Sequence, residues 1–372
     1  MKILFTCGGT AGHINPAIAV AGKIKQLVPD AEILFVGAQG MMEENLVPRE
    51  GYEIKTVTIT NLQRSMKPRA IMHNINTAKN VVRSIHQAKR IIKVFKPDVA
   101  VGTGGYVCYS VLRAAHSLGV PTIVHESNAV PGLTTRLLSK IADCVMVGFA
   151  AAGDNYPNAK RIEFTGTPVR PGFGAMGRDD ARRRLGIAPE EPFVLSVWGS
   201  LGSDFMNGMM AKIFALAAKN GGMKILHSAG SRGFEKMKKE LDAEGFDYEK
   251  LGIEAREYIY DMPTAMSATD LIICRSGAST LSELQLMGKP AVLVPSPNVT
   301  GAHQEKNARV LENAGAAVVV TEGSFSAQGL YERLCALLAD GTGLSEMSRN
   351  MQSSGVKNST EIITDIIFGY IK

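Results

Sequence analysis

Residues Ile3–Gly9 read ILFTCGG, and Val194–Ser200 repeat the same pattern as VLSVWGS. In both stretches a short apolar run meets glycine, and a helical pattern follows. A strand, a glycine turn and a helix in that order begin a parallel βαβ unit. The chain therefore predicts two domains that open in the same way.

Further short β-rich runs alternate with helical patterns along both halves. Their predicted bounds in the first half are Lys2–Thr6, Glu32–Val36, Val99–Val101, Thr122–His125, Cys144–Val147 and Arg161–Thr165. In the second half they are Phe193–Val197, Lys224–His227, Leu271–Cys274, Ala291–Val294 and Ala317–Val320. This alternation predicts an α/β protein of two Rossmann-like domains with parallel sheets, facing each other across a ligand-binding cleft.

Length and composition agree with a globular chain of two domains. The 372 residues exceed one ordinary core, and 45% are hydrophobic while 20% are charged. The Pro- and Gly-rich segment Thr165–Gly172 is the natural boundary. We predict a first domain over residues 1–165, a second over 166–345, and a helical tail over 346–372 that packs back on the first.

The cysteine and hydropathy patterns favour a reducing compartment and no membrane span. Five scattered cysteines form no C-x-x-C pair, so reduced and buried thiols are expected. The apolar run within Met1–Thr6 is too short for a signal peptide. No apolar run approaches the ~18–20 residues that cross a bilayer, so we expect any membrane contact to come from one side.

The net charge of +6 is weak evidence for an anionic partner, but the charge is unevenly distributed. Residues 61–97 carry nine basic residues and no Asp or Glu, with apolar residues at helical spacing. Such a basic amphipathic helix can bind anionic lipid headgroups. It can equally pack its apolar stripe on the core and leave its lysines in water, and the residues alone favour neither.

The first glycine loop, Gly8–His13, is a candidate phosphate site. Its glycines allow a sharp turn, and the helix that follows near Asn15–Pro16 offers amides and a positive dipole end. His13 stands beside the loop and can act as a base near neutral pH. The alternatives are glycines needed for packing and a structural histidine.

This loop is not a standard nucleotide fingerprint. No G-x-G-x-x-G follows the first strand, and no G-x-x-x-x-G-K-[ST] occurs in the chain. A dinucleotide-dependent oxidoreductase or a P-loop kinase would therefore lack its phosphate-binding residues.

Two further polar groups follow strands of the first half. Gly102–Tyr106 makes a second candidate anion-binding loop, and His125–Asn128 ends a strand with polar side chains. Polar groups at the carboxyl end of a parallel strand usually bind ligands. Buried, hydrogen-bonded scaffolding is the alternative, for His125 above all.

The most specific cluster is Cys274–Glu283 in the second half. A strand ends at Cys274, a glycine turn follows, and a helix begins about Ala278, so its amides and hydroxyls can hold a diphosphate. Glu283 can accept hydrogen bonds from a diol such as ribose, and amides near Gln304 can bind a sugar's hydroxyls. Ordinary helix capping by Ser279 and Ser282 is the alternative.

Five motifs occur in an order that resembles the MurG family of N-acetylglucosaminyltransferases. They are Gly8-Gly9-Thr10-x-Gly12-His13-x-x-Pro16, Gly104-Gly105-Tyr106, His125-Glu126-x-Asn128, Gly166-x-Pro168-Val169-Arg170 and Arg275-Ser276-Gly277-Ala278-x-Thr280-x-Ser282-Glu283. The resemblance extends from residue 1 to about residue 320. It implies a GT-B fold, UDP-N-acetylglucosamine as donor, undecaprenyl-diphosphoryl-N-acetylmuramoyl-pentapeptide (lipid I) as acceptor, and lipid II of peptidoglycan synthesis as product.

The resemblance also implies roles for individual residues. The uracil would lie near Ile259, the ribose near Glu283, and the diphosphate over the helix that begins at Ala278. The donor contacts would be Thr10, Ala11, Gly12, Asn128, Arg170, Ser200, Ile259, Ala278, Ser279, Thr280, Leu281, Ser282, Glu283 and Gln304. The acceptor diphosphate would be held by Gly9, Gly12, His13, Gly104, Gly105 and Tyr106. The catalytic group would be His13, Glu126 and Asn128.

The chain departs from the family pattern at four positions in or near these motifs. Ala11 replaces a usual glycine and adds a methyl group where phosphate would approach. Thr167 stands where Asn is common, and Leu201 and Ser203 alter the loop after the first strand of the second half. The last change puts the diphosphate contacts of that loop in question.

The mechanism expected from this resemblance is one in-line displacement with inversion, giving a β-1,4 linkage. His13 is the expected base, and Glu126 is the alternative base. Arg170, Ser200 and the helix dipole from Ala278 would stabilise the departing UDP, and no Asp-x-Asp motif is present to hold a metal, so none is expected.

The expected partners are UDP-N-acetylglucosamine, lipid I and the anionic inner leaflet of the cell membrane, with a cell-wall synthesis complex as a further candidate and no nucleic acid. The protein is expected to act peripherally at the cytoplasmic face. Three other functions stay open on the residues: a UDP-N-acetylglucosamine 2-epimerase, a non-catalytic nucleotide-sugar sensor, and a glycosyltransferase acting on diacylglycerol.

Overall fold

The computed structural model describes residues 1–60, 68–199 and 201–371. Within these ranges the chain forms two compact units, one of Met1–Pro171 with Val356–Lys372 and one of Gly172–Gly355. Each unit is built around one parallel sheet, so the predicted α/β class with two Rossmann-like domains is confirmed. Ser200 and residues 61–67 of the predicted basic helix lie outside the described residues.

The first unit holds a seven-stranded sheet in the order β3-β2-β1-β4-β5-β6-β7. Its strands are β1 (Lys2–Thr6), β2 (Glu32–Ala38), β3 (Glu53–Val57), β4 (Val99–Gly102), β5 (Thr122–Glu126), β6 (Cys144–Val147) and β7 (Ile162–Phe164). Its helices up to this point are α1 (Ala11–Leu27), α2 (Glu43–Arg49), α3 (Pro68–Phe95), α4 (Tyr106–Ser117) and α5 (Leu133–Leu138), with a 3-10 turn at Ala150–Asn155.

The core of the first unit follows from the apolar run of β1. Ile3 and Phe5 are fully buried, and Ile3 is in register with Ile33 on one side and Val99 on the other. Phe5 stacks on Phe35 with ring centroids 5.4 Å apart. A central parallel strand is covered by helices on both faces, which is why Ile3, Leu4 and Phe5 of β1 are consecutive apolar residues rather than alternating with polar ones.

The second unit holds a six-stranded sheet in the order β10-β9-β8-β11-β12-β13. Its strands are β8 (Phe193–Val197), β9 (Lys224–Ser228), β10 (Ile253–Arg256), β11 (Leu271–Cys274), β12 (Ala291–Leu293) and β13 (Ala317–Val319). Its helices are α6 (Arg178–Leu185), α7 (Asp204–Asn220), α8 (Phe234–Ala243), α9 (Met262–Ala268), α10 (Ala278–Met287), α11 (His303–Asn313), α12 (Ala327–Ala339) and α13 (Gly341–Ser353), with a 3-10 turn at Thr300–Ala302.

The last helix, α14 (Ser359–Phe368), returns to the first unit. Ile363 and Ile367 join the core around α1, and Glu361 pairs with Lys23 at 2.9 Å. α13 instead stays with the second unit, where Gln285 donates to the carbonyl oxygen of Ser354 at 2.9 Å. The units therefore divide at 171/172 and 355/356, whereas the boundaries predicted from sequence were 165/166 and 345/346.

No described helix is both long enough and apolar enough to cross a membrane. The five cysteines are free, and four of them are buried. Burial raises the pKa of the Cys108 thiol to about 12 and that of Cys144 to about 11.

Candidate active site

The two glycine loops of the first unit meet because β1 and β4 are neighbours in the sheet. The Gly8 amide donates to the Gly104 carbonyl oxygen at 3.1 Å. A Cβ on Gly105 would lie 2.5 Å from the Gly8 carbonyl oxygen, so these backbones approach more closely than any side chain allows. Thr103 ties the loops together further by donating its hydroxyl to the His13 carbonyl oxygen at 2.6 Å.

His13 lies at the junction of the two loops, half-buried in the first turn of α1. Its Nδ1 is 3.0 Å from the carbonyl oxygen of Gly8. A carbonyl oxygen can only accept, so Nδ1 carries the hydrogen in the neutral ring and Nε2 carries the lone pair. The nitrogen available to take a proton is therefore Nε2.

The other residues predicted for this loop cluster near the same point. Thr10 is the extended residue before α1, and its hydroxyl is 3.4 Å from Nδ1 of His13. Ala11 and Gly12 form the first turn of α1, where backbone amides have no partner within the helix. Tyr106 begins α4 and is 44% exposed.

Glu43 is a residue of this loop that the sequence patterns did not single out. Its side chain is fully buried, and its Oε2 accepts the amide of Gly9 at 3.0 Å. Gly9 was predicted to hold the acceptor diphosphate, and its amide is already engaged by this carboxylate. An acidic residue in the first turn of a helix is ordinary, so only the fold brings Glu43 to the loop.

Glu126 and Asn128 form a closed arrangement at the end of β5. Glu126 is buried, and its Oε1 accepts from the backbone amide of Asn128 at 3.1 Å and from its side-chain amide at 2.9 Å. Its Oε2 accepts from the Gly132 amide at 3.0 Å. A carboxylate that accepts three such bonds is occupied in shaping its own loop, which favours His13 over Glu126 as the base.

His125 is a scaffold residue in the structure. Its Nε2 lies 2.9 Å from the Gly166 carbonyl oxygen and its Nδ1 3.3 Å from the Ser127 hydroxyl. Burial lowers its pKa, so the ring is neutral at physiological pH. It anchors the Gly166 segment, which leads to the exposed Arg170.

In the second unit, the end of β11 and the start of α11 are joined around Ser276. The Ser276 hydroxyl donates to the Gln304 carbonyl oxygen at 2.7 Å, and the buried Asn307 donates to the Ser276 carbonyl oxygen at 3.3 Å. The Gln304 side chain accepts from the Ser296 amide at 2.8 Å. These bonds bring the predicted loop Arg275–Gly277 and the predicted Gln304 together.

Helix α10 begins at Ala278 after Gly277, as predicted for a diphosphate site. Leu281 is fully buried, and the Ser282 hydroxyl donates to the Ala278 carbonyl oxygen at 2.9 Å. The Ser279 hydroxyl oxygen is buried without a hydrogen-bond partner in the described part of the chain. The half-buried Glu283 lies near the end of β11, where its charge adds to burial in raising the pKa of the Cys274 thiol to about 12.

The remaining predicted donor residues are distributed as follows. Thr280 is half-buried in the first turn of α10. Ile259 lies between β10 and α9 with its side chain buried.

Arg275 braces the second unit's glycine loop. Its guanidinium lies 5.4 Å from the Trp198 ring centroid and donates to the Ser203 hydroxyl at 2.9 Å and to the Val294 carbonyl oxygen at 3.0 Å. It also forms an ion pair with Glu322. Ser203, one of the departures from the family pattern, is also the N-cap of α7.

Behind this loop lies a buried polar network that the sequence patterns did not predict. Trp198 donates to the Ser196 hydroxyl at 2.8 Å, which lies 2.9 Å from Nδ1 of His227. Nε2 of His227 lies 3.1 Å from Oδ1 of Asn207. Burial lowers the pKa of His227 to about 3, so the network is built around a neutral ring.

Comparison with known proteins first defines the class. Residues 3–147 match the glycosyltransferase family 28 N-terminal domain, and residues 193–363 match the glycosyltransferase family 28 C-terminal domain. The solved structure of Acinetobacter baumannii MurG superposes with a TM-score of 0.78 at 27% identity, over 99% of each chain. The protein is a glycosyltransferase of the GT-B fold class.

Sequence relatives then define the family. A protein of Acetivibrio thermocellus is 40% identical over 372 residues, which is 100% of this chain and 99% of that one. A protein of Ruminiclostridium cellulolyticum is 40% identical over 99% of both chains. Each is a UDP-N-acetylglucosamine–N-acetylmuramyl-(pentapeptide) pyrophosphoryl-undecaprenol N-acetylglucosamine transferase. The chain belongs to this MurG family, as its motifs predicted.

A nucleotide-sugar epimerase shares the fold. The UDP-GlcNAc 2-epimerase of Neisseria meningitidis bound to UDP-GlcNAc has a TM-score of 0.65 at 15% identity, over 99% of this chain and 100% of that one. At this identity the likeness concerns the fold alone.

Proposed function

We propose that this protein transfers N-acetylglucosamine from UDP-N-acetylglucosamine to the 4-hydroxyl of the muramoyl sugar of lipid I, forming lipid II. The observation that carries the proposal is the 3.0 Å contact between Nδ1 of His13 and the Gly8 carbonyl oxygen. Because Nδ1 carries the hydrogen, Nε2 can act as the base beside the two glycine loops. The sequence relatives of this chain are named as enzymes that catalyse this transfer.

The chemical step needs a base and an electrophile in line. Nε2 of His13 would take the proton of the acceptor hydroxyl as its oxygen attacks the anomeric carbon, and UDP would leave from the opposite face with inversion. General-base catalysis of this kind contributes about 10²–10⁴-fold. The glycine loops that include Gly12, Gly104, Gly105 and Tyr106 would hold the acceptor diphosphate, while the Gly9 amide stays bonded to Glu43.

The donor would be bound mainly by the second unit. The start of α10 offers amides, a dipole end and the buried Ser279 hydroxyl, which a phosphate oxygen would supply with a partner. Glu283 would accept from the ribose diol, the Gln304 side chain would bind the sugar, and the uracil would lie near Ile259. Thr10, Ala11, Gly12, Asn128 and Arg170 of the first unit complete the donor set that the family resemblance implies.

Charge on the departing UDP would be stabilised by Arg170, Ser200 and the α10 dipole. We propose that the reaction requires no metal ion. In the described residues no group of three or more His, Cys, Asp and Glu is arranged to hold one.

The helices α3 and α5 present candidate membrane-binding side chains in the first unit. On α3, Arg83 and Arg90 are exposed on the same side as Val82, which is 57% exposed, while Ala88 and Ile92 are buried. On α5, Leu133 and Leu137 are exposed beside Arg136. The apolar stripe of α3 thus packs on the core in part, and cations with apolar side chains remain outward. Such a surface suits anionic lipid headgroups.

This surface supports a peripheral enzyme at the cytoplasmic face of the membrane, where a polyprenyl-linked acceptor would be presented. We include in the proposal an association with other cell-wall synthesis proteins, which rests on the family resemblance alone.

The deciding experiment is transfer of labelled sugar from UDP-N-acetylglucosamine to a lipid I analogue. UDP-galactose and diacylglycerol serve as control donor and acceptor. We expect UDP release only with the matched pair, at least about 10²-fold lower in His13→Ala. Release of UDP without acceptor would favour an epimerase, donor binding without turnover would indicate a sensor, and transfer to diacylglycerol would redefine the acceptor.

A further inference from the structure

One peptide unit in the active-site loop is held at both ends by ionisable side chains. Its N–H, on Gly9, donates to Oε2 of Glu43 at 3.0 Å. Its carbonyl oxygen, on Gly8, accepts from Nδ1 of His13 at 3.0 Å. Glu43 and His13 are therefore the two ends of one hydrogen-bonded chain that passes through a single amide.

The position of Glu43 is specified by the surrounding backbone. Its Oε1 accepts the amide of Ala38 at 2.9 Å, so each carboxylate oxygen receives one N–H. A Cβ on Gly8 would lie 2.5 Å from Oε1, and a Cβ on Gly37 would lie 2.5 Å from Cγ. Glycine at positions 8 and 37 therefore leaves the space that the Glu43 side chain occupies. Glu43 lies in the first turn of α2, where the helix dipole favours a negative charge.

An amide transmits polarisation from one end to the other. A carboxylate on the N–H side draws electron density towards the carbonyl oxygen, which becomes a better acceptor for the Nδ1 hydrogen of His13. A stronger bond at Nδ1 fixes the tautomer with its lone pair on Nε2 and stabilises the imidazolium that forms when Nε2 takes a proton. A carboxylate bonded directly to a catalytic histidine acts in the same way.

We propose that Glu43 is a positioning residue of the transfer reaction and acts on His13 through the Gly8–Gly9 amide. The inference rests on the proposed function, since it requires His13 to be the base. The acceptor hydroxyl gives its proton to Nε2, its oxygen forms the bond to the anomeric carbon, and UDP leaves with the electron pair of the broken bond. Glu43 keeps its charge throughout, and no proton crosses the amide.

The titratable side chains that interact electrostatically with Glu43 or His13 include Cys7, Cys108 and His125. Burial raises the pKa of Cys7 and of Cys108, and the negative charge of Glu43 adds to both shifts. His125, whose charge would interact with that of His13, has its pKa lowered by burial. Cys7, Cys108 and His125 are uncharged near neutral pH. Of these four side chains, Glu43 is therefore the one whose negative charge acts on His13.

The first test needs no substrate. Histidine-selective ¹⁵N NMR of the full chain follows the ring nitrogens of His13, assigned by loss of its signals in His13→Ala. In the wild type we expect hydrogen on Nδ1 in the neutral form. In Glu43→Gln, which keeps the volume and removes the charge, the titration midpoint of His13 should move to lower pH by about half a unit to one unit.

A matched control is Asp143→Asn. Asp143, which directly precedes β6, is also a carboxylate of the first unit. It accepts a hydrogen bond from the backbone amide of Thr122 at 2.9 Å and forms an ion pair with Lys160. Its loss should leave the His13 midpoint unchanged. If Glu43→Gln does not fold, Glu43→Asp keeps the charge but draws it away from Gly9, and an intermediate shift is expected.

The second test is a double-mutant cycle on the transfer reaction. We expect Glu43→Gln to lower kcat about 10-fold with KM for either substrate within about twofold, and to move the acidic limb of the pH–rate profile to lower pH. In the His13→Ala background the same substitution should have no further effect, because the charge acts only through the ring.

Two results would overturn the inference: an unchanged His13 midpoint in folded Glu43→Gln, or an undiminished effect of that substitution in His13→Ala. A failure of the proposed function is a separate observation. It would show as wild-type protein that transfers no sugar to lipid I, and the NMR result on Glu43 and His13 would still decide whether the relay exists.

Discussion

Gly104 and the imidazole of His13 compete for the same volume: a Cβ on Gly104 would lie 2.4 Å from Cδ2 of His13. The second glycine loop therefore packs against the His13 ring at Gly104, while the first loop holds the ring through the bond from Nδ1 to the Gly8 carbonyl oxygen. The absence of a side chain at Gly104 is a requirement of the base's position, in addition to any contact with phosphate.

Gly104→Ala should displace the His13 ring and lower kcat for sugar transfer by about 10²-fold, since shifts of about 1 Å have such effects. Gly40→Ala is the control, because Gly40 has a similarly left-handed φ of +76° but open space around its Cβ position. Steady-state kinetics of both variants would separate backbone strain from ring displacement. Equal losses in the two variants would contradict the steric explanation.

The buried His227 predicts a pH-dependent stability. Its pKa is lowered to about 3 in the fold, below the value of about 6.5 in an unfolded chain. The unfolded state therefore binds more protons between these values, and stability present above pH ~6.5 is lost as pH falls, by at most about 1.4 kcal/mol per pH unit from this group. Urea unfolding at pH 7 and pH 5 measures it.

His227→Gln should flatten that dependence while lowering stability at pH 7. A slope that His227→Gln does not alter would mean that other groups, such as the buried His125, dominate the acid sensitivity.

Arg275 should be less replaceable than its surface counterparts. Arg275→Lys loses the planar fork that bonds Ser203 and Val294 and weakens the pairing of the largely buried Glu322, so a loss of about 2–4 kcal/mol in unfolding free energy is expected. The KM for the donor should also rise, because Ser203 caps α7 beside the glycine loop.

Arg309→Lys is the corresponding surface substitution. Arg309 pairs with Glu305 and Glu312 but is 44% exposed, so its change should alter stability by less than about 1 kcal/mol. Chemical unfolding and donor titration of the two variants provide the measurement. Similar losses in both would show that the Trp198–Arg275 arrangement adds nothing specific.

Lys96 ends α3 in a left-handed conformation with φ of +54°, which is costly for a residue with a side chain. Lys96→Gly should therefore stabilise the protein by about 1 kcal/mol. Lys93→Gly, one turn earlier in the helix and also exposed, should destabilise it by a similar amount. Thermal unfolding decides, and a destabilised Lys96→Gly variant would rule out strain at that position.

Charge reversal on α3 tests the membrane proposal. Arg83→Glu with Arg90→Glu should reduce binding to phosphatidylglycerol vesicles at least about 10-fold, since each basic residue near such a surface contributes about 1 kcal/mol. Lys236→Glu with Lys239→Glu makes the same charge change on the exposed side of α8. Equal losses in sedimentation with vesicles would point to net charge rather than to a docking face.

Much of the architecture was predictable because central parallel strands are apolar throughout. β1 and β8 were predicted to the residue, whereas β3 and β10 were missed. Both missed strands lie at a sheet edge and carry charged residues, as in Glu53-Ile54-Lys55, so they lack a continuous apolar run.

The site was predictable where its residues are neighbours in sequence. His13 follows its glycines directly, and Ser276 precedes α10. Glu43 could not be found in this way, because it lies 34 residues from the amide it accepts and resembles an ordinary residue of a first helical turn. Glu126 was a candidate base by position, and only its three hydrogen bonds reveal that it shapes a loop.

The return of α14 to the first unit has a consequence for synthesis on the ribosome. Residues 1–171 emerge first, but Ile363 and Ile367, which cover α1, are made only after the whole second unit. The nascent first unit must therefore wait with an apolar face of α1 uncovered while about half the chain is translated. The first unit can therefore complete its core only when translation is finished. A prematurely released chain would expose apolar surface of α1 to chaperones and proteases.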